Sequence, residues 1–451
     1  MNIIHAVSGF PPDAYGGTEV YVAKLTDCLH SRGVDSIVAA PREGNESHFY
    51  HHNTTEVHRY PVPTNPPLDQ WQELVPHDHF EAFATWLKQQ SAPIFHQHSY
   101  RFDCGSHHLR LAKQLGMKTV MTLHIPEPIC LRQTMMRNGT EPCDGRIDEA
   151  QCGVCLGMSD KVPATIAKTL GHLPPHLAQQ MKKSLHQFPS PRVRQLGTTF
   201  ATPTLVAQNR RRVLEMADLC DRIVAVCHWM YDVLLRNGIP AEKIVLCPQG
   251  SPIPHQHFAP KSLSQPLKLG FLGRWHETKG IHILVEAMQK LPRDIPVTLT
   301  LHGSLHGKFH SGSKILDRVK EIAEQDDRIQ IKPLLQREEV IPAIANFDLL
   351  AVPSQWFETG PLVVREAHAV GTPVIGSDLG GIAELIKHGV DGWLVKANDV
   401  NAWRDAISEL ATHPEIVAKL CQGIAPVRTF EEVADEMQTM YQSLVSQEAL
   451  V

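Results

Sequence analysis

The chain has 451 residues, of which 43 are basic and 48 acidic, giving a formal net charge of −5. This length exceeds what one hydrophobic core usually supports and so predicts two domains, while the charge balance argues against a general polyanion-binding surface and hence against nucleic acid as a partner. The start carries no basic leader and no run approaches ~18 consecutive apolar residues, so we expect a cytoplasmic protein.

The first half predicts a parallel α/β domain spanning residues 1–250. A short β-branched run at residues 2–7 leads into Gly16 and Gly17, after which apolar residues recur at helical spacing. A strand at residues 34–40 completes a β-α-β unit. Later strands of the same sheet are predicted at residues 94–97, 119–123, 219–226 and 244–247.

The pattern then restarts after a proline-rich stretch, residues 251–266, which has the composition of an interdomain linker. A second α/β domain is predicted at residues 267–425, followed by a C-terminal helical segment at residues 426–451. The predicted strands are 267–272, 297–302, 329–331, 349–352, 373–375 and 392–395, and the predicted helices are 281–291, 340–345, 400–411 and 430–450.

Two carboxylates stand eight positions apart, across a Gly-Pro step. Gly360 and Pro361 suit a helix start, because proline in the first turn loses no needed donor. Glu358 is therefore predicted in the loop and Glu366 inside the helix. The unpaired amides of this start, at Leu362 and its neighbours, would face an anion.

The Glu-x7-Glu pattern, with Gly-Thr-Pro-Val-Ile at 371–375 and Gly-Gly-Ile-Ala-Glu-Leu-Ile at 380–386, resembles the retaining glycosyltransferases of family 4. This resemblance implies the GT-B fold, in which two Rossmann-like parallel-sheet domains face each other across a cleft and the last helix packs back on the first domain. It also implies transfer of a hexosyl group from a nucleotide-diphosphate sugar to an acceptor hydroxyl, with retention, in glycan or glycolipid biosynthesis. By the same resemblance, Glu366 holds the ribose hydroxyls and Glu358 contacts the donor sugar.

A second donor-side feature is a pair of cations, Arg274 and Lys279, around a glycine-flanked loop that follows a predicted strand. Arginine grips phosphate oxygens bidentately and lysine supplies a mobile charge, so the pair would stabilise a departing diphosphate. No Asp-x-Asp motif stands out in a suitable loop, so no catalytic metal or other cofactor is expected. The base stays open between uridine and guanosine.

The acceptor side is predicted in the first domain. Gly16 and Gly17 resemble the family's first glycine loop, and the G-x-G-x-x-G spacing of a dinucleotide site is absent. His124 follows a predicted strand where the family carries a histidine that contacts the donor sugar, and His98 is the second choice. The acceptor stays open among a glycan, a lipid-linked molecule and a small molecule.

Four of the ten cysteines fall close together as C-x12-C-x8-C-x2-C, inside an insertion at about residues 125–213. Clustered thiolates with a C-x2-C knuckle suit tetrahedral zinc, and an iron–sulfur cluster or free, transiently paired thiols are the alternatives. The set is Cys130, Cys143, Cys152 and Cys155.

Three alternatives accompany these expectations. The scaffold also hosts sugar-nucleotide epimerases, and a non-catalytic sugar-nucleotide sensor or scaffold would keep the same binding residues. Residues 178–194 combine Lys182, Lys183, Arg192 and Arg194 with apolar side chains. That stretch predicts either a solvated helix or peripheral contact at the inner face of the membrane.

Overall fold

The computed structural model describes residues 1–13, 16–256, 263–304 and 311–446. It divides into two compact units, one formed by Met1–Cys247 and Ala434–Val451 and the other by Pro248–Val433. Each unit has a parallel sheet flanked by helices. The predicted α/β class with two Rossmann-like domains is therefore confirmed. Part of the predicted linker, residues 257–262, lies outside the described residues.

Unit 1 contains an eight-stranded sheet and a separate two-stranded ribbon, β7–β8. Its strands are β1 (Asn2–Ala6), β2 (Asp35–Glu43), β3 (His48–His52), β4 (Thr55–Val62), β5 (Ile94–Gln97), β6 (Lys118–Leu123), β7 (Met136–Arg137), β8 (Glu141–Pro142), β9 (Arg222–Ala225) and β10 (Ile244–Leu246). The order across the sheet is β10-β9-β6-β5-β1-β2-β4-β3, and the pairing is parallel except between β3 and β4.

The helices of unit 1 that precede residue 248 are α1 (Gly17–His30), α2 (Leu68–Trp71), α3 (Phe80–Lys88), α4 (Ser106–Gln114), α5 (Glu149–Cys155), α6 (Ala164–Leu170), α7 (Pro175–His186), α8 (Pro191–Leu219) and α9 (His228–Arg236). The strand predicted at 219–226 is wrong at its start, because α8 continues to Leu219 and the Cys220 amide still bonds to Met216 O. No helix within the described ranges has both the length and the apolar character needed to cross a membrane.

The order in which strands are added to the sheet of unit 1 reverses between the neighbouring parallel strands β1 and β5. From β1 the chain adds β2 and β4 on one side and then returns to add β5 and β6 on the other. Ligands of open parallel sheets bind beyond the carboxyl ends of the strands at such a switch point. The loops that follow β1, β5 and β6 are therefore the ones placed to form a site.

Unit 2 is a six-stranded, fully parallel sheet in the order β13-β12-β11-β14-β15-β16. Its strands are β11 (Leu267–Arg274), β12 (Val297–Ser304), β13 (Ile329–Lys332), β14 (Leu349–Val352), β15 (Val374–Ser377) and β16 (Gly392–Val395). All six overlap the predicted strands. The switch point lies between β11 and β14, since the chain adds β12 and β13 on one side of β11 before β14 pairs with its other edge.

The remaining helices are α10 (Ile281–Lys290), α11 (Ser311–Gln325), α12 (Arg337–Asn346), α13 (Leu362–Ala369), α14 (Gly380–Leu385), α15 (Val400–Thr412), α16 (Pro414–Gly423) and α17 (Phe430–Ser446). Helices α10, α11, α15 and α16 contribute to a core that contains the fully buried Trp403, and α12, α13 and α14 contribute to a second core that contains Val364. Helix α17 starts in unit 2 and ends in unit 1. The predicted end of this helix, residues 447–450, lies outside the described residues.

Candidate functional site

Glu358 is the focus of a hydrogen-bonded cluster in the loop between β14 and α13. Its Oε1 accepts from Lys279 Nζ at 2.5 Å, from Trp356 Nε1 at 2.8 Å and from Ser354 Oγ at 2.9 Å. The carboxylate is 7% exposed. Charge-assisted hydrogen bonds of this kind hold both partners in fixed positions. The cluster therefore presents an ammonium and a carboxylate as one unit at the switch point.

Gly280 allows the two loops of this cluster to meet. It adopts φ +67°, and a Cβ there would lie 1.8 Å from Pro353 O. Beside it, the Gln355 amide donates to Thr278 O at 2.7 Å. The loop after β11 thus packs backbone to backbone against the loop after β14, which carries Lys279 to Glu358 across 79 positions of sequence.

The glycine pair at the start of α14 closes the other side of the Glu358 loop. The Gly381 amide donates to Glu358 O at 2.7 Å, and a Cβ on Gly381 would lie 2.6 Å from that oxygen. Gly380 and Gly360 have φ of +52° and +125°. Pro361 caps α13, so Glu358 lies in the loop and Glu366 in the helix, as predicted from the sequence. Leu362 is the first residue of α13.

Arg274 ends β11 on the same side of the sheet. Its side chain is exposed and forms no ion pair with any residue in the described ranges. Burial lowers the pKa of His276, and the positive charges of Arg274 and Lys279 lower it further. The loop after β11 therefore presents cationic charge next to a neutral imidazole.

Glu366 is nearly fully buried on α13, and its Oε1 lies 2.8 Å from Nη1 of Arg337 at the start of α12. The N–H direction does not aim at the oxygen, so the contact is ionic and not a hydrogen bond. Arg337 was not among the sequence candidates. Nothing in its local sequence distinguishes it, since only the packing of α12 beside α13 reveals the pair.

In unit 1, three histidines form a continuous chain at the switch point. His124, which follows β6, lies with Nε2 3.0 Å from His98 Nδ1, and His98 Nε2 lies 3.1 Å from His5 Nδ1. Burial lowers the pKa of both His124 and His5 to about 3. All three imidazoles are therefore neutral near pH 7, and the chain of bonds couples their tautomers.

His96 lies beside this chain without joining it. Its Nδ1 is 2.6 Å from Tyr441 OH and its Nε2 is 2.7 Å from Thr122 Oγ1. One ring nitrogen each from His5, His96 and His98 falls within 4.8 Å of the others, a spacing that could hold a metal. Both nitrogens of His96 and both of His98 already have protein partners, which favours a hydrogen-bonded core over a metal site.

Gly16 lies next to this region as the N-cap of α1. Its amide donates to Glu19 Oε2 at 2.8 Å. From the first turns of α1, the ring of Tyr21 packs edge-on against His124, with centroids 4.6 Å apart. The start of α1, with Gly17 exposed, therefore borders the histidine chain. The preceding residues 14 and 15 of the predicted loop lie outside the described residues.

The four clustered cysteines all line one cavity of about 40 Å³ in the insertion. Each is free and half-buried. Cys130 follows the turn after His124, Cys143 follows β8, and Cys152 and Cys155 belong to α5. The structure thus brings together the four residues that the sequence singled out.

Comparison with known proteins agrees with these two units. Residues 16–250 match the family described as glycosyl transferase 4-like domain, and residues 253–423 match glycosyl transferases group 1. The first match covers more than half of the chain. The chain belongs to the glycosyl transferase 4-like family.

Relatives and solved structures add detail. A D-inositol 3-phosphate glycosyltransferase of Corynebacterium urealyticum is 29% identical over 196 residues, 41% of this chain and 46% of that protein, so the match spans less than half of either. The fold resembles sucrose-phosphate synthase of Thermosynechococcus elongatus, with TM-score 0.65, 19% identity and coverage of 99% and 100%. It also resembles Anabaena HepE in complex with UDP-glucose, with TM-score 0.58, 15% identity and full coverage of both chains. These neighbours establish the GT-B fold.

Proposed function

We propose that the protein is a retaining glycosyltransferase that moves a hexosyl group from a nucleoside-diphosphate sugar to an acceptor hydroxyl. The observation that carries the proposal is the pairing of Lys279 with Glu358 at the switch point of unit 2, beside the exposed Arg274. Membership of the glycosyl transferase 4-like family supports it, as does the UDP-glucose complex of a fold neighbour.

We assign nucleotide binding to α13 and the loop before it. Glu366 would accept hydrogen bonds from the ribose hydroxyls, and the ionic contact with Arg337 holds its carboxylate in position. The backbone at Gly360, Pro361 and Leu362 opens α13, where helix amides favour an anion. The choice between a uridine and a guanosine donor is left to experiment.

Stabilisation of the leaving group falls to Arg274 and Lys279. Negative charge grows on the diphosphate as the anomeric carbon–oxygen bond breaks, and two cations beside it lower the energy of that state. Lys279 is already held in position, because it donates a hydrogen bond to Glu358. Ser354 and Trp356 in turn fix the Glu358 carboxylate. The proposed chemistry assigns no step to a metal ion.

Retention follows from the role given to Glu358. One of its oxygens already accepts three hydrogen bonds, so it serves as a charge partner and a contact for donor-sugar hydroxyls rather than as a nucleophile. We propose that the acceptor hydroxyl attacks from the face that the diphosphate leaves. The new carbon–oxygen bond forms as the old one breaks, and the departing phosphate oxygen takes the hydroxyl proton.

Unit 1 would supply the acceptor side through the start of α1 at Gly16 and Gly17, and its His124 would contact the donor sugar. A neutral imidazole can donate one hydrogen bond to a sugar hydroxyl at physiological pH, and burial keeps His124 neutral. The proposed acceptor classes are a growing glycan, a lipid-linked sugar and a small hydroxyl compound.

Peripheral contact with an anionic membrane is proposed for the helices of the insertion. From Lys161 to Leu214 the sequence has nine lysines and arginines and no acid, within a chain whose net charge is −5. Large apolar side chains on the same helices are exposed, among them Ile166, Leu177 and Leu196. Basic and apolar groups together suit the headgroup region of an anionic bilayer.

The proposal is tested by calorimetric titration of the purified protein with UDP-glucose, UDP-N-acetylglucosamine and GDP-mannose, without added metal. We expect one donor to bind at micromolar affinity and the binding to be lost in Arg274→Ala. Product NMR with an accepted hydroxyl compound should then show the donor's anomeric configuration. An inverted product would overturn the retaining mechanism, and no binding across the panel would favour a non-catalytic scaffold.

A further inference from the structure

The insertion of unit 1 folds four thiols around one cavity, although they come from three separate pieces of backbone. Cys130 closes a turn in which its amide donates to Pro126 O at 2.8 Å. Cys143 follows the β7–β8 ribbon, and α5 contributes Cys152 and Cys155. A ribbon and a short helix that carry a C-x2-C pair are a common frame for a tetrahedral metal.

Backbone amides are aimed at two of the sulfur atoms. The amide of Asn138, which has φ +53°, donates to Cys155 Sγ at 3.2 Å, and that of Gly145, with φ +78°, donates to Cys143 Sγ at 3.5 Å. Glycine and asparagine are the residues that most readily adopt such left-handed conformations. Amides that point at sulfur suit thiolates, which accept hydrogen bonds far better than thiols, and they orient metal ligands.

The charge around the cavity is mostly positive, although the Asp144 carboxylate lies 4.0 Å from Cys143 Sγ. Arg132, Arg137 and Arg146 line it together with apolar side chains, and no aspartate, glutamate or histidine is among its lining residues in the described part of the chain. Zinc bound by four thiolates is a doubly negative centre. Arginine side chains offset the negative charge of such a centre. Four neutral thiols carry no negative charge for the arginines to offset.

We propose that Cys130, Cys143, Cys152 and Cys155 bind one structural zinc ion. No three of these sulfur atoms lie within 4.8 Å of one another in the described structure. A tetrahedral site with Zn–S bonds of about 2.3 Å sets its sulfurs roughly 3.8 Å apart. Binding therefore draws the loop after β8 and the second half of α5 toward Cys130.

The ion would fix the insertion to the segment that follows β6 and begins with His124. Cys130 lies six residues after His124. A zinc ion bound by Cys130 and by the two cysteines of α5 would therefore tie the segment after His124 to that helix. Few apolar residues are fully buried here, with Met135, Met136 and Ile147 among them. Small segments with little core commonly need such a clip. This site stands independently of the proposed glycosyl transfer.

The test is elemental analysis of the full-length protein purified without chelator or affinity metal. We expect one zinc per chain, released when a mercurial titrates the thiols, and a cobalt-substituted protein with the charge-transfer band of metal thiolate. The double variant Cys152→Ser with Cys155→Ser should lose all of the zinc. The matched control, Cys28→Ser with Cys421→Ser, changes two half-buried cysteines outside the cluster and should keep it.

Because the cluster variant could fail to fold, the wild-type protein decides the matter. Zinc below one-tenth of an equivalent, with four thiols that react freely under native conditions, would overturn the proposal. Iron with acid-labile sulfide in place of zinc would also overturn it, in favour of a cluster. Nucleotide-sugar binding is measured in parallel, and its loss without loss of zinc would count against the proposed function alone.

Discussion

Lys279 Nζ lies 2.5 Å from Glu358 Oε1, although 79 positions separate the two residues, and both belong to loops at the switch point of unit 2. The ammonium is about one-fifth exposed while the carboxylate is buried. One face of the pair can therefore meet a ligand while the other is fixed by Ser354 and Trp356.

The first prediction concerns Lys279. Lys279→Ala should lower kcat about 10²–10³-fold, because it removes a fixed cation from the developing diphosphate charge. Donor affinity should fall less. The exposed Lys290→Ala, on α10 in the same unit, should behave as wild type in steady-state kinetics. Unchanged kcat in Lys279→Ala would remove this residue from the chemistry.

Variants of Glu366 and Arg337 distinguish a residue that binds the nucleotide from one that only positions its neighbour. Glu366→Ala should weaken nucleoside-diphosphate binding about 10-fold or more, because a charged hydrogen bond is worth roughly 1.5–3 kcal/mol. Arg337→Ala should weaken it only a few-fold, since Arg337 is 40% exposed and only supports Glu366. Calorimetry with UDP and GDP measures both. Equal losses in the two variants would show that Arg337 itself contacts the nucleotide.

His98 is predicted to act through His124. His98→Phe should lower kcat about 10–100-fold with little change in the donor KM, because a hydrogen-bonded partner orients the working imidazole. His98→Gln should recover part of the loss. Steady-state kinetics of both variants, with circular dichroism to confirm folding, provide the test. A fall in kcat equal for Phe and Gln would point to packing alone.

Buried histidines should make the fold acid-sensitive. Burial holds the pKa of His5 and His124 at about 3 and that of His58 at about 4. Below about pH 6.5 the unfolded chain binds protons that the folded chain refuses, so stability is full above that pH and falls below it. From about pH 6.5 to about pH 5 each histidine removes at most ~2 kcal/mol from the free energy of unfolding.

The variant His58→Phe tests this loss of stability in acid. Both ring nitrogens of His58 are buried without a hydrogen-bond partner among the described residues, and the ring stacks between Phe49 and Trp86. Phenylalanine keeps the stacking and removes the polar atoms, so stability should rise by about 1 kcal/mol. Its loss of stability toward about pH 5 should be smaller than that of wild type. Denaturant titrations at both pH values measure this, and an equal acid loss would contradict it.

The proposed membrane contact predicts that reversing the charge of lysines on α7 weakens binding to anionic vesicles. Lys182→Glu with Lys183→Glu should lower affinity for vesicles rich in anionic lipid by about 10-fold or more, since each basic residue near the surface contributes about 1 kcal/mol. Flotation assays compare it with Lys387→Glu and Lys419→Glu, two exposed lysines of unit 2. Similar binding by both double variants and wild type would place the contact elsewhere.

Sequence patterns predicted the parts of the site that are local. A Gly-Pro step placed Glu358 in a loop and Glu366 in a helix because proline and glycine restrict the backbone within a few residues. The contact of Arg337 with Glu366 was not predictable, since it depends on how α12 packs beside α13. The strand β3 was missed because its sequence, His-Phe-Tyr-His-His, lacks a β-branched apolar run.

The hydrogen bond between Tyr441 and His96 links α17 to the centre of the first sheet, 345 positions away. During synthesis residues 1–247 leave the ribosome long before α17 does, so His96 has no Tyr441 partner until α17 has also been made. A fragment that ends at Cys247 would keep every strand of that sheet and still bury an imidazole nitrogen without its phenol. One buried hydrogen bond of the first sheet therefore depends on a helix that is made well after the last strand of that sheet.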